Sequence, residues 1–171
     1  IYKRYADGEM YDADSIKVDS TAAYKTVAGR TVYGGGGIIP DVFVPVDTTR
    51  ATKFFIACNK KATQMRFASA MFDKYKSRLS EIDNDAELGI FLDRMNIPSA
   101  FREYASSKDG ITCTQKEWEE TSEYLLPQLR ALVGRYSKLG ENAFYKMYLN
   151  VDVTLKKAIE SDSRNLLHPA R

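Results

Sequence analysis

Four consecutive glycines, Gly34 to Gly37, stand between the β-prone Arg30-Thr31-Val32-Tyr33 and the stop Ile38-Ile39-Pro40-Asp41. A glycine inside a helix or strand costs about 0.5–1 kcal/mol relative to alanine, so such a run marks a sharp turn or a close approach to the backbone. One chemistry open to it is a phosphate cradle, in which main-chain N–H groups converge on an anion. A Walker-type loop would continue as Gly-Lys-Ser/Thr into a helix. Here Ile38, Ile39 and Pro40 follow, then the β-like Val42-Phe43-Val44. The run therefore reads as a turn or as tight backbone packing.

The other residue types that do chemistry are thinly placed. His168 is the single histidine and lies in the C-terminal tail, so a Ser-His-Asp triad has no base in the part expected to be ordered. A Ser–Lys pair needs a desolvated lysine beside a serine, and no serine lies on a recognisable elbow. Asp83, Asp85 and Glu87 form a small acidic cluster. Calcium would require alternating oxygen ligands, a loop glycine and a terminal Glu; that pattern is absent, and helix capping is the expectation. Cys58 and Cys113 show neither CxxC nor metal spacing. They read as small buried hydrophobes, with a disulfide as the alternative in an oxidising compartment. Phe144, Tyr145 and Tyr148 could bind a peptide or a base, but aromatics at this spacing read as core. No catalytic residue, metal ligand or cofactor contact is assigned.

The elements that would position these residues follow from patterning. Residues 1–25 are polar, with Tyr2, Tyr5, Tyr11 and Tyr24 scattered among Asp and Lys, and are expected to be irregular. A turn at Gly29 leads to a short strand ending near Tyr33, and Val42–Val44 predicts a second one bracketed by Pro40 and Pro45. Thr48 or Thr49 can cap a helix. Phe54, Phe55, Cys58, Met65, Ala68, Phe72, Tyr75, Leu79 and Ile82 then form an apolar stripe at helical spacing, with a split near Asn59 or Thr63. Asp85 caps a shorter helix that buries Leu88, Phe91, Leu92 and Met95 and ends at Pro98. Ser99 caps the next, closed by Gly110. Thr114 and Glu117 make a capping box before the stripe Trp118, Leu125, Leu129, Leu132 and Tyr136. Pro127 predicts a kink or break near Glu123–Leu126, and Gly140 ends that helix. An aromatic segment covers 141–149, and Asp152 caps a last helix with Leu155, Ala158 and Ile159 inward.

The fold class is mainly α: a multi-helix C-terminal domain with a short β segment or hairpin at the N-terminal end. The domain boundaries are 1–48 and 49–171. With 44% hydrophobic and 28% charged residues, the composition is that of a globular protein with a core. No apolar run approaches the ~18 residues of a membrane span. The chain opens on Ile, not Met, and reads as a piece of a longer protein. The net charge is +2, but residues 50–78 are strongly basic. That segment reads as a solvated helix face; contact with nucleic acid or an anionic surface is the alternative.

The string from Gly29 to Asp41 resembles a segment of the carboxy-terminal processing peptidases, the S41 family of serine peptidases, in the larger forms found in Bacteroides-like bacteria. Gly29, Arg30, Tyr33, Gly34, Gly35, Gly36, Gly37, Ile38, Pro40 and Asp41 carry the match. Val42-Phe43-Val44-Pro45 and Asp47 extend it, and Tyr145, Asp152 and Leu155-Lys156-Lys157-Ala158 are more weakly similar. The resemblance implies a periplasmic or cell-envelope endopeptidase that cuts near protein C-termini with a serine nucleophile and a lysine base. It implies no metal or cofactor, and usually a PDZ domain that captures substrate. Both catalytic motifs precede the "GR…GI.PD" segment in the family, and neither occurs in this chain. The expectation is a non-catalytic C-terminal helical region, structural or regulatory and inactive alone. Its partners would be its own catalytic and PDZ domains, the parent's peptide substrates and a further copy of itself, with no nucleic acid. Arg30 and Asp41 are expected to be structural, forming a salt bridge or hydrogen-bond anchor. The rival reading is a free-standing helical binding module that uses the basic 50–78 segment.

Overall fold

A computed structural model of the chain describes residues 2–27, 29–34, 40, 42–47 and 51–163. It is mainly helical, with eight α-helices and one two-stranded antiparallel sheet among the described residues. The chain divides into two compact units, one of residues 1–47 with 153–171 and one of Thr48–Asp152.

The first unit begins with a five-residue helix, α1 (Tyr2–Ala6). Two 3₁₀ turns follow, Ala13–Ser15 and Ser20–Ala22. Each is opened by an aspartate: Asp12 Oδ1 accepts from Asp14 N at 3.0 Å, and Asp19 Oδ1 from Thr21 N at 2.9 Å. Short acidic side chains satisfy such orphan donors well. Strand β1 (Ala23–Lys25) pairs antiparallel with β2 (Thr31–Tyr33), Tyr24 opposite Val32. The expectation of irregular structure over 1–25 is thus corrected by α1 and β1. The strand expected at Val42–Val44 does not form; the partner of β2 is the segment before it, joined to it through the turn at Gly29. No described side chain of residues 2–47 is buried. Helix α8 (Val153–Ser163) starts directly after Asp152. Leu155 is half-buried, but Ala158 and Ile159, expected inward, are exposed.

The second unit holds α2 (Lys53–Lys60), α3 (Thr63–Leu79), α4 (Asp85–Arg94), α5 (Ile97–Asp109), α6 (Gln115–Gly134) and α7 (Glu141–Tyr148). The other five helices all pack on α6 directly. Its apolar stripe explains this: Leu125, Leu129 and Val133 are fully buried, and Trp118 nearly so. Around it Phe54, Phe67, Leu79, Leu88, Leu92 and Phe101 complete one core. Phe101 sits edge-on to Phe54 at 6.2 Å and to Phe67 at 5.3 Å between ring centroids.

The helix boundaries test the sequence signals. The split between α2 and α3 falls where expected, at Ala62 with φ +51°. The predicted caps Thr48 and Thr49 lie outside the described residues; the N-cap of α2 is Thr52, whose hydroxyl accepts from Phe55 N at 3.2 Å. That hydroxyl also meets the buried Thr121 hydroxyl at 2.6 Å, so one contact caps α2 and satisfies a polar group inside the core. Asn84, not Asp85, caps α4 and accepts from Glu87 N at 2.9 Å. Ser99 lies inside α5, and Pro98 sits in its first turn rather than after α4, where a missing N–H costs nothing. Gly110 closes α5 as expected. The capping box of Thr114 and Glu117 is present. Helix α6 is not broken at Pro127; its burial against five neighbours outweighs the donor lost to Glu123. The non-helical dihedrals fall instead at Tyr75 of α3 (φ −119°). Gly140 opens α7 rather than ending α6. Tyr136 lies past α6 yet still packs on the core, stacked on Phe72 at 4.6 Å.

Candidate functional site

The glycine-rich string enters the structure as a hairpin. Gly29 has φ +78°, the left-handed region where a Cβ is penalised. The loop is closed by Thr26 N donating to the Arg30 carbonyl at 2.9 Å, Gly29 N to the Thr26 carbonyl at 2.8 Å, and Arg30 N to Thr26 Oγ1 at 3.1 Å. Past β2, Gly34 N donates to the Ala22 carbonyl at 2.8 Å. A Cβ at Gly34 would stand 3.0 Å from the Tyr24 ring, so glycine lets the strand end pass beneath that aromatic. Tyr33 is 39% exposed. Pro40 is exposed. Gly35, Gly36, Gly37, Ile38 and Asp41 lie outside the described residues, and with Asp41 the expected Arg30–Asp41 anchor. His168 lies outside them too.

In the helical unit several ionisable side chains tie helices together. Asp109, the last residue of α5, has a side chain only 3% exposed. Its carboxylate accepts from Thr63 Oγ1 at 2.6 Å and pairs with the Arg66 guanidinium, while its carbonyl accepts from Lys61 Nζ at 2.8 Å. The Arg66 guanidinium, then the Thr63 hydroxyl, hold the Asp109 carboxyl below the usual carboxylate range. The basic segment is thus partly engaged: besides Lys61 and Arg66, Arg78 pairs with Glu87 at 2.5 Å and with Glu81 at 3.6 Å. The acidic cluster is equally occupied, with Glu87 on Arg78 and Asp85 on Lys146. Among the described residues, no group of three or more His, Cys, Asp or Glu side chains is placed to hold a metal ion.

Both cysteines are free; Cys58 is buried and Cys113 half-buried. Burial pushes the Cys58 thiol up to about 11, and burial also raises Cys113 against the opposing pull of Arg102. Cys113 shares a depression of about 370 Å³ with Phe54, Arg102, Glu103 and Thr112. Among the described residues, the serines Ser80, Ser107, Ser122, Ser137 and Ser161 donate to main-chain carbonyls.

The aromatic set departs most from expectation. Only Ala143 of α7 is buried; Phe144 and Tyr148 are half-buried and Tyr145 is exposed. They form a surface cluster rather than core. Phe144 and Tyr148 stack at 5.4 Å, Tyr145 meets Phe144 edge-on at 5.2 Å, and the Arg135 guanidinium lies 4.8 Å from the Phe144 centroid. Arg135 is held by Glu141 at 2.5 Å. Phe144 and Tyr148 form one wall of a cleft of about 290 Å³; Gln64 and Met65 of α3 and Gln128 and Leu132 of α6 form the rest of its lining with Asn59 and Ala62. Met65, expected in the core stripe, is 53% exposed. The left-handed Ala62 ends the α2 register, so the stripe read across the break assigns Met65 to the wrong face.

No protein-family model matches the chain, and no curated protein or solved structure matches it.

Proposed function

We propose that this chain is the C-terminal, non-catalytic helical region of a carboxy-terminal processing serine peptidase, acting as a structural or regulatory module of that enzyme. The observation that carries the reading is the string Gly29-Arg30-Thr31-Val32-Tyr33-Gly34 with its continuation to Pro40, Asp41 and Asp47. Its first part has a backbone reason for its glycines: a positive φ at Gly29 and a ring seated on Gly34. The change at residue 53 from short strands and turns to packed helices agrees with a core end followed by a helical extension. The serine nucleophile and lysine base of the parent lie on motifs absent from these residues. The parent's setting in this reading is the periplasm or cell envelope, and its substrates are proteins.

The purified chain is expected to leave casein and a C-terminal peptide substrate uncut. Robust cleavage blocked by a serine-directed reagent would overturn the reading. Arg66 and Arg78 of the basic segment are already paired with carboxylates, which supports leaving nucleic acid out. A gel shift at low salt checks this, since phosphate contacts would give affinity that falls steeply as salt rises.

A further inference from the structure

We infer that the cleft between α3, α6 and α7 binds a neutral, extended peptide segment, with an apolar side chain seated against Leu132, Met65 and the Phe144–Tyr148 stack. The inference stands on the helical unit alone and does not require the peptidase reading. Every residue that lines the cleft is uncharged. Of the cations next to lining residues, Arg66, Arg135 and Lys146 are already paired, with Asp109, Glu141 and Asp85, and Lys61 donates to the Asp109 carbonyl, while Lys60, next to Asn59 in sequence, is exposed. A charged segment therefore finds no unspent complement in the lining, and a neutral one fits.

The polar groups of the cleft are those that read a peptide backbone. Gln64 Nε2 donates to Asn59 Oδ1 at 2.8 Å, which fixes both amides and leaves the Asn59 N–H donors and the Gln64 oxygen acceptor for a ligand. Gln128 of α6 is half-buried and lines the same space. A primary amide presents a donor and an acceptor side by side, the complement of the N–H and C=O that a single residue of an extended strand turns to one side. The apolar wall is preorganised, because Glu141 holds Arg135 and Arg135 covers Phe144. Met65 can adapt to different side chains. A volume of about 290 Å³ sits at the lower end of the range for ligand sites, which suits one or two residues of a longer segment.

The test is a titration of the full chain with acetyl-Ala-Leu-Ala-Phe-amide, followed by backbone and side-chain amide shifts. Saturable shifts at Gln64, Gln128 and Tyr148 are expected in the unsubstituted protein. Gln128→Ala should weaken binding about fivefold, the ordinary net worth of one hydrogen bond. Tyr148→Ala should weaken it about tenfold or more, and Ser99→Ala, in the depression that Cys113 and Ser99 line together, should leave it unchanged. Absent or non-saturating shifts would overturn the inference. So would tighter binding of an aspartate- or lysine-flanked peptide, a glucose oligomer or a single-stranded oligonucleotide. Concentration-dependent dimers with the same shifts and no peptide present would assign the cleft to a second copy and also overturn it.

Discussion

Replacing Phe101 by leucine tests whether the helical unit is one cooperative core. Phe101 is fully buried and makes edge-to-face contacts with Phe54 and Phe67, on α2 and α3. Each such pair is worth about 0.5–1.5 kcal/mol beyond area burial. Leucine keeps most of the apolar transfer energy but removes both ring contacts and leaves a small void. The expected loss is about 2 kcal/mol; Phe101→Ala, which empties the site, should lose about 3–5 kcal/mol. For a unit of this size, each kcal/mol moves Tm by roughly 4–8 °C, so the leucine variant should melt roughly 8–16 °C lower. Thermal unfolding followed by both near- and far-ultraviolet circular dichroism is the assay, with the exposed Ile90→Ala as the control expected within about 0.5 kcal/mol of the parent. A leucine variant that behaves like the control, or two probes that melt apart in the parent, would refute the single aromatic core.

Asp109→Asn should flatten the acid limb of stability. The folded carboxyl is depressed by Arg66 and Thr63, so its contribution is present above the unfolded carboxylate value near pH 4 and is lost as pH falls through the lower folded value; an unchanged acid limb would contradict the tie. Ellman titration of the native protein should modify Cys113 first and Cys58 only on unfolding, since the Cys58 thiol is buried and raised to about 11; equal native rates would contradict its burial. Gly34→Ala should displace the exposed Tyr24 ring from the strand end, because its Cβ would stand 3.0 Å from Tyr24 Cε2, and Gly29→Ala should cost about 1–2 kcal/mol locally from its positive φ. Loss of the cross-strand contact between Tyr24 and Val32 in nuclear Overhauser spectra is the readout, and its retention in both variants would contradict the loop geometry.

The helical signals that depend on neighbours in sequence were readable. The capping box at Thr114 and Glu117, the closure at Gly110 and the stripe through Leu125 and Leu129 all rest on contacts within one or two turns. What required tertiary structure was not readable. Thr52 is chosen as a cap partly because Thr121 waits for its hydroxyl in the core. Pro127 stays inside α6 because five helices pack on it. Strand β1 forms from residues with weak patterning because the Gly29 turn brings them opposite Thr31–Tyr33. The cleft was hidden for a related reason: Phe144, Tyr148 and Met65 have core spacing, and only the break at Ala62 and the placement of α7 leave them at the surface. Gln64 and Gln128 carried no sequence signal, since lone glutamines at helical positions are ordinary on solvated faces.

On the proposed reading, this helical region completes a Ser–Lys peptidase without supplying its chemistry. This is tested most directly by mixing the chain with a carboxy-terminal processing peptidase core of the larger form that lacks its own helical extension. A one-to-one complex on gel filtration, a higher Tm for the core, and cleavage that disappears when the serine of the core alone is replaced are expected. No association, or cleavage that survives loss of that serine, would contradict it.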